Sequence, residues 1–258
     1  MRKSKVLAKL RAGQPARVCS LGHFLPFFVR YAAHFQYDGI WFDLEHRAMD
    51  QREVQALLAL CCACDIDCMV RPPTAERTRL YRYLEDGAAG FMIPFVSDVE
   101  YARHLVQAIK YPPLGNRGID GAGLDADFGL DTWRPGSTYF EDANAQTFIA
   151  AQIETCQALE DLEEIAATPG IDVLFIGPAD LGRRLAVSGS GLSLEQAIEK
   201  VAATARRHRK AWGIPAGSAE DLRRYHRQGA QLVPWGGDFS LMKVLEECSK
   251  QLDEALSK

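Results

Sequence analysis

Eight short apolar runs recur along this chain, each rich in β-branched or aromatic residues and each too short to form a helix. Amphipathic stretches with helical spacing separate them. The predicted strands are residues 16–21, 39–44, 66–70, 90–96, 147–153, 173–177, 212–216 and 231–235, and the predicted helices include residues 52–63, 75–86, 98–109, 158–167, 194–210, 219–228 and 240–255. This alternation of strand and helix predicts an α/β fold.

Continuous apolar strands indicate burial on both faces, as in a parallel sheet covered by helices. Eight strand–helix units in 258 residues are what a closed (β/α)8 TIM barrel needs, and we expect residues 1–258 to form one such domain. An open doubly wound sheet is the alternative, but no G-x-G-x-x-G turn follows the first two strands. Residues 111–144, rich in Gly, Pro and Asp, predict a long loop with room for a short helix.

The composition argues against several kinds of partner. Thirty Lys and Arg residues against 34 Asp and Glu residues give a net charge of −4, and no basic tract is long enough to follow a nucleic-acid backbone. No apolar stretch approaches the roughly 20 residues of a membrane span, so we expect a cytoplasmic protein with no nucleic-acid or membrane partner. Cysteines cluster at residues 61–68 without a second cluster, which favours core packing over a zinc site.

Polar residues follow most of the predicted strands at the point where each strand ends. In a TIM barrel the catalytic groups lie at the carboxyl ends of the strands, so these residues are candidates for one site. They are His23 after the first run, Asp43, Glu45 and His46 after the second, Arg71 after the third, Gln152 and Glu154 after the fifth, Gly177, Ala179 and Asp180 after the sixth, and Asp238 after the eighth. Each one alone could be a turn or capping residue, and their convergence favours a site.

Two of these carboxylates, Glu154 and Asp180, follow neighbouring strands and could share a divalent cation such as Mg²⁺ or Mn²⁺. The alternatives are that Asp180 caps the helix that follows it and that Glu154 lies in the first turn of the next helix. Arg71 could offer a bidentate positive charge to a carboxylate or oxo group, or it could form a structural salt bridge with Asp43 or Glu45.

His46 is the candidate proton carrier, because imidazole titrates near neutral pH and Asp43 and Glu45 could orient the ring. The alternative is a solvated residue at the start of a helix. His23 is the other histidine that we expect near the site. No lysine ends a predicted strand and no G-x-S-x-G motif occurs, which argues against a Schiff-base aldolase and a serine hydrolase.

Five motifs carry a family resemblance. They are Phe42-Asp43-Leu44-Glu45-His46, Val70-Arg71-Pro72, Tyr111-Pro112-Pro113-Leu114-Gly115-Asn116-Arg117-Gly118, Ala151-Gln152-Ile153-Glu154-Thr155 and Phe175-Ile176-Gly177-Pro178-Ala179-Asp180-Leu181. Together they resemble the HpcH/HpaI family of metal-dependent 2-oxo-acid aldolases, and the resemblance runs in register from about residue 7 to the last predicted helix. The fold of that family is a (β/α)8 barrel.

The resemblance implies reversible cleavage of a 4-hydroxy-2-oxo acid, of the 2-keto-3-deoxy sugar acid or 4-hydroxy-2-oxoheptanedioate type, to pyruvate and an aldehyde. Glu154 and Asp180 would hold Mg²⁺, Mn²⁺ or Co²⁺, which as a Lewis acid would stabilise the pyruvate enolate. Arg71 would neutralise charge on the same oxygen. His46, with Asp43 to orient it, would be the acid/base group.

The resemblance also implies a substrate subsite and an assembly. Gln152 and the backbone amides near Gly177, Ala179 and Asp180 would bind the substrate carboxylate at the positive end of the following helix. The protein would form a homohexamer, a trimer of dimers, with the C-terminal helix at about residues 240–256 exchanged between subunits. Glu85, where the family more often has Asp, would contribute a carboxylate to a neighbouring site.

Some positions depart from the family pattern. His23 replaces a residue that is usually apolar, residues 119–139 do not match, and Trp235 and Gly237 are atypical. These positions shape the aldehyde end of the pocket, where we place His23 as a substrate-binding residue. The alternatives are an acyl-CoA lyase of the citrate lyase β type, a decarboxylating or cyclising enzyme with the same enolate chemistry, and a barrel that binds a 2-oxo acid without turnover. Product analysis separates them.

Overall fold

Seven parallel strands form one curled sheet in the computed structural model, which describes residues 1–257. The strands are Val18–Leu21 (β1), Gly39–Asp43 (β2), Asp67–Arg71 (β3), Gly90–Ile93 (β4), Phe148–Ile153 (β5), Val173–Ile176 (β6) and Ala211–Gly213 (β7). Each strand pairs with the next one along the chain, because a helical crossover returns the chain to the same end of the sheet. The predicted α/β fold with a parallel sheet is confirmed.

Twelve α-helices and two 3₁₀ turns lie within residues 1–257. The helices are Lys5–Arg11 (α1), Pro26–His34 (α2), Gln51–Ala63 (α3), Arg77–Glu85 (α4), Val99–Ile109 (α5), Tyr139–Gln146 (α6), Cys156–Glu160 (α7), Leu162–Ala167 (α8), Pro178–Ser188 (α9), Leu194–Arg207 (α10), Ala219–Arg227 (α11) and Leu241–Leu256 (α12), and the 3₁₀ turns are Leu124–Gly129 and Asp238–Ser240. None of these helices has the length and apolarity that crossing a membrane requires. The single helix predicted at residues 158–167 is wrong, because the non-helical ψ of 12° at Asp161 separates α7 from α8.

Side-chain caps set where several helices begin. Asp50 accepts hydrogen bonds from the backbone N–H groups of Arg52 and Glu53, and the Glu53 carboxylate accepts in return from the N–H of Asp50. Ser193 and Gln196 make the same reciprocal pair at the start of α10. These capping boxes satisfy N–H groups that a helix leaves unpaired at its first turn.

Alternate residues of each strand face opposite sides of the sheet, as the two-residue period of a strand requires. In β5, Phe148 and Ala150 join the cluster on the inner side of the curled sheet, which α1 also enters. Ile149, Ala151 and Ile153 join the larger cluster between the sheet and the helices. All six residues of β5 are buried, as the apolar run predicts for a strand covered on both faces.

The eighth predicted strand, residues 231–235, is not a regular strand. Residues 231–237 form only isolated parallel bridges to β7 and β1. Pro234 has no N–H to donate to a ladder, and Gly236 adopts a φ of 82°. Backbone hydrogen bonds nevertheless join this segment to both edges of the sheet, from Gln231 N to Trp212 O (2.9 Å) and from Trp235 N to Val18 O (2.8 Å).

The long connection predicted at residues 111–144 is held by a buried polar network. Arg117 pairs with Asp125 at 2.9 Å, and the Tyr139 hydroxyl donates to the same carboxylate at 2.6 Å. The Arg117 guanidinium also lies 4.6 Å from the centroid of the Tyr111 ring. This connection ends in the eight-residue helix α6, which agrees with a long loop that has room for a short helix.

The last helix, α12, has no buried residue. Its exposed apolar side chains are Leu241, Met242, Val244, Leu245, Leu252 and Leu256. Exposed apolar faces of this kind are typical of surfaces that contact another chain.

Candidate active site

Glu154 directly follows β5 and is only 4% exposed. Its Oε2 accepts the backbone N–H of Phe95 (3.0 Å), and its Oε1 accepts from Nε2 of Gln152 (2.7 Å). Burial raises the pKa of Glu154, the hydrogen bond from Phe95 opposes that increase, and the negative charges of Asp180 and Glu45 add to it. The structure therefore places Asp180 and Glu45 within electrostatic reach of a buried carboxylate.

Gly177, which follows β6, allows Glu154 to occupy this position. A Cβ at residue 177 would lie 2.0 Å from Oε1 of Glu154, far inside a van der Waals contact. Helix α9 begins at the next residue, with Ala179 and Asp180 in its first turn, so its positive end starts beside the Glu154 carboxylate. The alternative that Asp180 caps the helix is wrong, because Gly177 is the N-cap residue of α9 and Asp180 lies in its first turn, where it accepts from Nη1 of Arg184 at 3.3 Å.

Arg71 ends β3 and is held on two sides by carboxylates. Its Nη2 is 2.8 Å from Oδ2 of Asp43, its Nη1 is 3.2 Å from Oε2 of Glu45, and its guanidinium lies 4.9 Å from the ring centroid of Trp41. Burial acts to raise the pKa of Asp43, but the hydrogen bond and charge of Arg71 outweigh it and lower that pKa. The salt bridge that the alternative interpretation of Arg71 names, with Asp43 or Glu45, is present with both residues. The positive charge of Arg71 also opposes the increase in the pKa of Glu154, so Arg71 lies within electrostatic reach of that carboxylate.

His46 lies in the loop between β2 and α3. Its backbone N–H donates to Oδ1 of Asp43 (3.2 Å), and its ring Nε2 is 3.5 Å from Oε2 of Glu45. The side chain is 57% exposed, so the imidazole can exchange protons with solvent or with a bound molecule. The His46 ring contacts Glu45 rather than Asp43. The alternative that His46 lies at the start of a helix is wrong, because α3 begins at Gln51.

His23, in the loop after β1, pairs with a buried carboxylate. Its Nδ1 is 2.6 Å from Oδ2 of Asp238, which also accepts the N–H of Gly22 at 2.9 Å, and Oδ1 of Asp238 accepts the N–H of Phe239 at 3.1 Å. Asp238 is 4% exposed, whereas the His23 side chain is 56% exposed. The carboxylate therefore fixes the imidazole through Nδ1, and within residues 1–257 Nε2 forms no hydrogen bond.

A cleft of about 490 Å³ opens beside these groups. Its lining residues are Ser20, Trp41, Pro215, Ala216, Gly217, Pro234, Trp235, Gly236, Gly237, Phe239, Ser240 and Lys243. Trp41 is both a wall of this cleft and the ring against which Arg71 packs, so the cleft adjoins the carboxylate cluster.

The donor set fits a hard divalent cation. Glu154 and Asp180 provide carboxylate oxygens, and the buried Oε1 of Gln152 has no hydrogen-bond partner within residues 1–257. The repulsion that raises the pKa of Glu154 is what a bound cation would relieve. No set of three His, Cys, Asp or Glu side chains in the described chain has a metal-binding arrangement, and Mg²⁺ is commonly held by one or two carboxylates with water and substrate oxygens completing the shell.

The structure does not bring Glu85 to this cluster within the chain. Glu85 ends α4, at the far end of that helix from the carboxyl end of β3. Burial raises its pKa, Arg117 opposes the increase, and Asp125 adds to it. The charged neighbours of Glu85 thus lie in the long connection at residues 111–144. Its role in the site of a neighbouring subunit stays a prediction.

Two contributors were missed by sequence reasoning. The strand predicted at residues 90–96 ends at Ile93, because Pro94 cannot donate to the ladder and Phe95 adopts a φ of 51°. This turn lets the N–H of Phe95 reach Glu154. Pro94 is the sequence feature from which the turn could have been predicted. Trp41 sits at an inward position of β2, which the two-residue period of the strand could have identified.

Residues 21–243 match the family model described as HpcH/HpaI aldolase/citrate lyase. The chain belongs to this family. The resemblance drawn from the five motifs is therefore confirmed. Within the HpcH/HpaI family, similarity extends over most of the chain in both sequence and structure.

The chain is 34% identical over 235 residues to a hydroxypyruvate/pyruvate aldolase of Deinococcus radiodurans, covering 90% of this chain and 83% of that protein. It is 33% identical over 225 residues to a 5-keto-4-deoxy-D-glucarate aldolase of Klebsiella pneumoniae, covering 86% and 84%. The crystal structure of an HpcH/HpaI aldolase from Desulfitobacterium hafniense superposes with a TM-score of 0.86 and 32% identity over 96% of each chain.

Proposed function

We propose that this protein is a metal-dependent carbon–carbon lyase that reversibly cleaves a 4-hydroxy-2-oxo acid to pyruvate and an aldehyde. The observation that carries the proposal is the buried carboxylate of Glu154, held by Phe95 and Gln152 and electrostatically coupled to Asp180 and Arg71. The similarity to proteins named hydroxypyruvate/pyruvate aldolase and 5-keto-4-deoxy-D-glucarate aldolase supports the same reaction class.

Glu154 and Asp180 are the residues that would hold Mg²⁺, Mn²⁺ or Co²⁺. When bound, the cation supplies Lewis-acid polarisation of the 2-oxo group. The two hydrogen bonds to Glu154 fix its orientation, and supporting contacts of this kind typically govern metal affinity by about 10–100-fold.

The chain binds the 2-oxo acid half with fixed groups. Arg71, held by Asp43 and Glu45, offers positive charge to the oxo oxygen without reorganising. The backbone around Gly177, Ala179 and Asp180 binds the carboxylate at the positive end of α9, together with the Nε2 amide of Gln152, whose other N–H donates to Glu154.

In the cleavage direction the C4 hydroxyl loses a proton, the C3–C4 bond breaks, and C4 becomes the aldehyde carbon. The electron pair of that bond passes to the three-carbon fragment, which takes a proton at C3 and leaves as pyruvate. His46, exposed and next to Glu45, carries the proton between these positions. Asp43 positions the His46 loop through its hydrogen bond to the His46 backbone.

The remaining structural predictions form part of the same proposal. Residues 231–237 would close the curled sheet into a (β/α)8 barrel, supported by their hydrogen bonds to both sheet edges. Helix α12 would pack on a neighbouring subunit of a homohexamer, which its lack of any buried residue supports. Glu85 would then approach a neighbouring site.

The test is pyruvate formation from a panel of 4-hydroxy-2-oxo acids with Mg²⁺, Mn²⁺ or Co²⁺, and with EDTA. We expect metal-dependent pyruvate release that Glu154→Gln reduces by more than about a hundredfold. Glu160→Gln, an exposed carboxylate at the end of α7, is the matched control and should retain the rate.

Mass analysis of the products tests the alternatives in the same experiment. Pyruvate release that persists in EDTA would contradict the metal role of Glu154 and Asp180. Carbon dioxide in place of an aldehyde would identify a decarboxylating enzyme, and cleavage of an acyl-CoA alone would identify a lyase of the citrate lyase type. Binding of pyruvate with no turnover of any compound would identify a non-catalytic protein.

A further inference from the structure

A second cavity, of about 390 Å³, opens at the amino-terminal end of the sheet, at the opposite end of the strands from Glu154 and Asp180. It lies between the ends of α1, α10 and α11 and the start of β7. No acidic residue lines it, although the chain as a whole has a net charge of −4. Four of its lining residues are cationic, and they are Arg11, Arg206, Arg209 and Lys210.

Arg206 and Arg209 have no carboxylate partner. Within residues 1–257, neither side chain forms an ion pair or a hydrogen bond. Glu195, on the same helix as Arg206, pairs with Arg224 at 3.1 Å and accepts from Nε2 of Gln228 at 3.4 Å. The charges of these two guanidinium groups are therefore not compensated by that carboxylate.

Lys210 and Arg11 are fixed at the cavity by backbone carbonyls, at 2.7 Å from Nζ of Lys210 and at 2.6 Å from Nη2 of Arg11. The positive charges of Lys110, Lys210 and Arg11 oppose the increase that burial causes in the pKa of Asp172. One buried carboxylate thus faces three cations, and this side of the cavity also keeps a surplus of positive charge.

Arg209 occupies an unusual backbone position. A basic residue in the last turn of a helix complements its negative end, which accounts for Arg11 and Arg206. Arg209 instead follows the C-cap residue His208 and adopts a φ of 54°. Glycine is the residue that most often occupies this position, because a Cβ is disfavoured at positive φ. The backbone therefore does not favour an arginine here, and the side chain that it carries lines the cavity.

Two neutral polar groups at the cavity also lack partners. Trp212 is only 3% exposed, and its Nε1 forms no hydrogen bond within residues 1–257. A Cβ at Gly229 would lie 3.9 Å from this Nε1, so the glycine leaves the indole N–H uncovered. Oε1 of Gln228 is buried without a hydrogen-bond partner in the same residues. Buried polar groups almost always have a partner, so a bound molecule would supply what the chain does not.

We propose that this cavity binds a small molecule that carries a phosphate or diphosphate group. Phosphate oxygens accept hydrogen bonds from guanidinium, ammonium and indole groups, and a phosphate monoester carries a charge of about −1.5 to −2 at neutral pH. That charge matches four cations better than a single carboxylate does. A hydroxyl or amino group of the same molecule donates to Oε1 of Gln228. The volume lies in the range of small-molecule sites, and the ligand is separate from the substrate of the proposed reaction.

The ligand would join elements that the chain connects sparsely. Gln231 begins the irregular segment that follows α11, and its backbone N–H donates to Trp212 O at 2.9 Å while its Nε2 donates to Leu10 O at 2.8 Å. A molecule held by Arg11 and Arg209 bridges α1 and the start of β7 at the same place. Binding should therefore raise the Tm of the protein.

The test is calorimetric titration of the full chain with inorganic phosphate, pyrophosphate and citrate, at low salt and without added divalent cation. We expect pyrophosphate to bind at one site per chain and more tightly than citrate, a polycarboxylate of similar charge. Arg206→Gln combined with Arg209→Gly should weaken pyrophosphate binding by about a hundredfold, since each charge-assisted hydrogen bond contributes roughly tenfold. Glycine keeps the positive φ of residue 209, so this variant should fold.

Two further variants separate the site from general charge effects. Trp212→Phe keeps the ring, removes the N–H and should weaken binding by roughly three- to tenfold. Arg30→Gln combined with Arg103→Gln removes the same charge at exposed positions of α2 and α5 and should keep the wild-type Kd. In thermal unfolding, pyrophosphate should raise the Tm of the wild type and of this control but not that of the variant at residues 206 and 209.

Four results would overturn the proposal. They are no binding of phosphate or pyrophosphate, binding that the variant at residues 206 and 209 retains, an equal loss in the control at residues 30 and 103, and tighter binding of citrate than of either phosphate. Binding is measured without turnover, so a failure of the proposed aldolase reaction leaves this result unaffected.

Discussion

Gly177→Ala tests whether the close approach of the β6 end to Glu154 sets the geometry of the site. The added Cβ would lie 2.0 Å from Oε1 and 2.5 Å from Cγ of Glu154. Non-bonded carbon contacts settle near 3.5–4.0 Å, so the Glu154 side chain must move by about 1 Å or more. That movement breaks its hydrogen bonds with Phe95 and Gln152 and leaves both donors buried without an acceptor.

The expected cost follows from those two donors. Each buried donor left unpaired costs about 1–3 kcal/mol, so we expect Gly177→Ala to lower the free energy of unfolding by roughly 2–6 kcal/mol. In a chain of this size, this corresponds to a fall in Tm of roughly 4–24 °C. Displacement by about 1 Å of the carboxylate that we propose as a metal ligand should lower kcat/KM for pyruvate release by about a hundredfold.

The assay combines thermal unfolding with the rate of metal-dependent pyruvate release. Gly182→Ala, within α9, is the matched control, because a Cβ there meets only Cδ2 of Leu194 in α10, at the ordinary contact distance of 3.5 Å. It should keep the rate and raise the stability by up to about 1 kcal/mol, since Ala is the better helix former. If Gly177→Ala behaves like Gly182→Ala in both measurements, the described position of Glu154 is wrong.

Three further predictions concern other parts of the molecule. Arg71→Lys loses the fork that pairs with both carboxylates and should lower kcat/KM more than about tenfold, whereas an unchanged rate would remove Arg71 from the site. Burial lowers the pKa of Lys110 to about 8 from 10.5, so between these values the unfolded chain binds more protons at this side chain, which adds a positive contribution to the change of the free energy of unfolding with pH. Lys110→Met should therefore make that change with pH less positive than in the wild type across this window in urea titrations, and an unchanged pH dependence would contradict the lowered pKa of Lys110. Leu245→Glu on the exposed face of α12 should reduce the particle mass in light scattering, and an unchanged mass would contradict packing of α12 on a neighbour.

The strands were predictable because burial on both faces leaves a strong signal. In β5 and β6 every residue is buried, and the apolar runs locate both strands to within a residue or two. The eighth run is apolar as well, yet Pro234 and Gly236 interrupt its ladder. Hydrophobicity indicates burial, whereas a regular strand also needs a backbone that can form ladder hydrogen bonds. Residues 231–237 are apolar but do not form such a ladder.

The site was predictable where a side chain provides the function and not where the backbone does. Glu154, Asp180, Arg71 and Asp43 could be placed at strand ends because they are charged residues next to apolar runs. The N–H of Phe95 has no signature in its own residue type, since any amino acid has the same backbone donor. Its contribution depends on a left-handed backbone conformation that follows a proline.

The irregular segment at residues 231–237 gives the two sides of the site different densities of backbone hydrogen bonds. Glu154, Gln152 and Arg71 stand on strands joined by continuous hydrogen-bond ladders. His23 and Asp238 stand on either side of a seam held by isolated bridges. Sparse backbone pairing lowers the cost of local opening, so amide hydrogens along this seam should exchange before those of β3 to β6. Residues along this seam can therefore change without altering the ladder-bound positions of Glu154, Gln152 and Arg71, the groups that we propose for the metal and the 2-oxo acid.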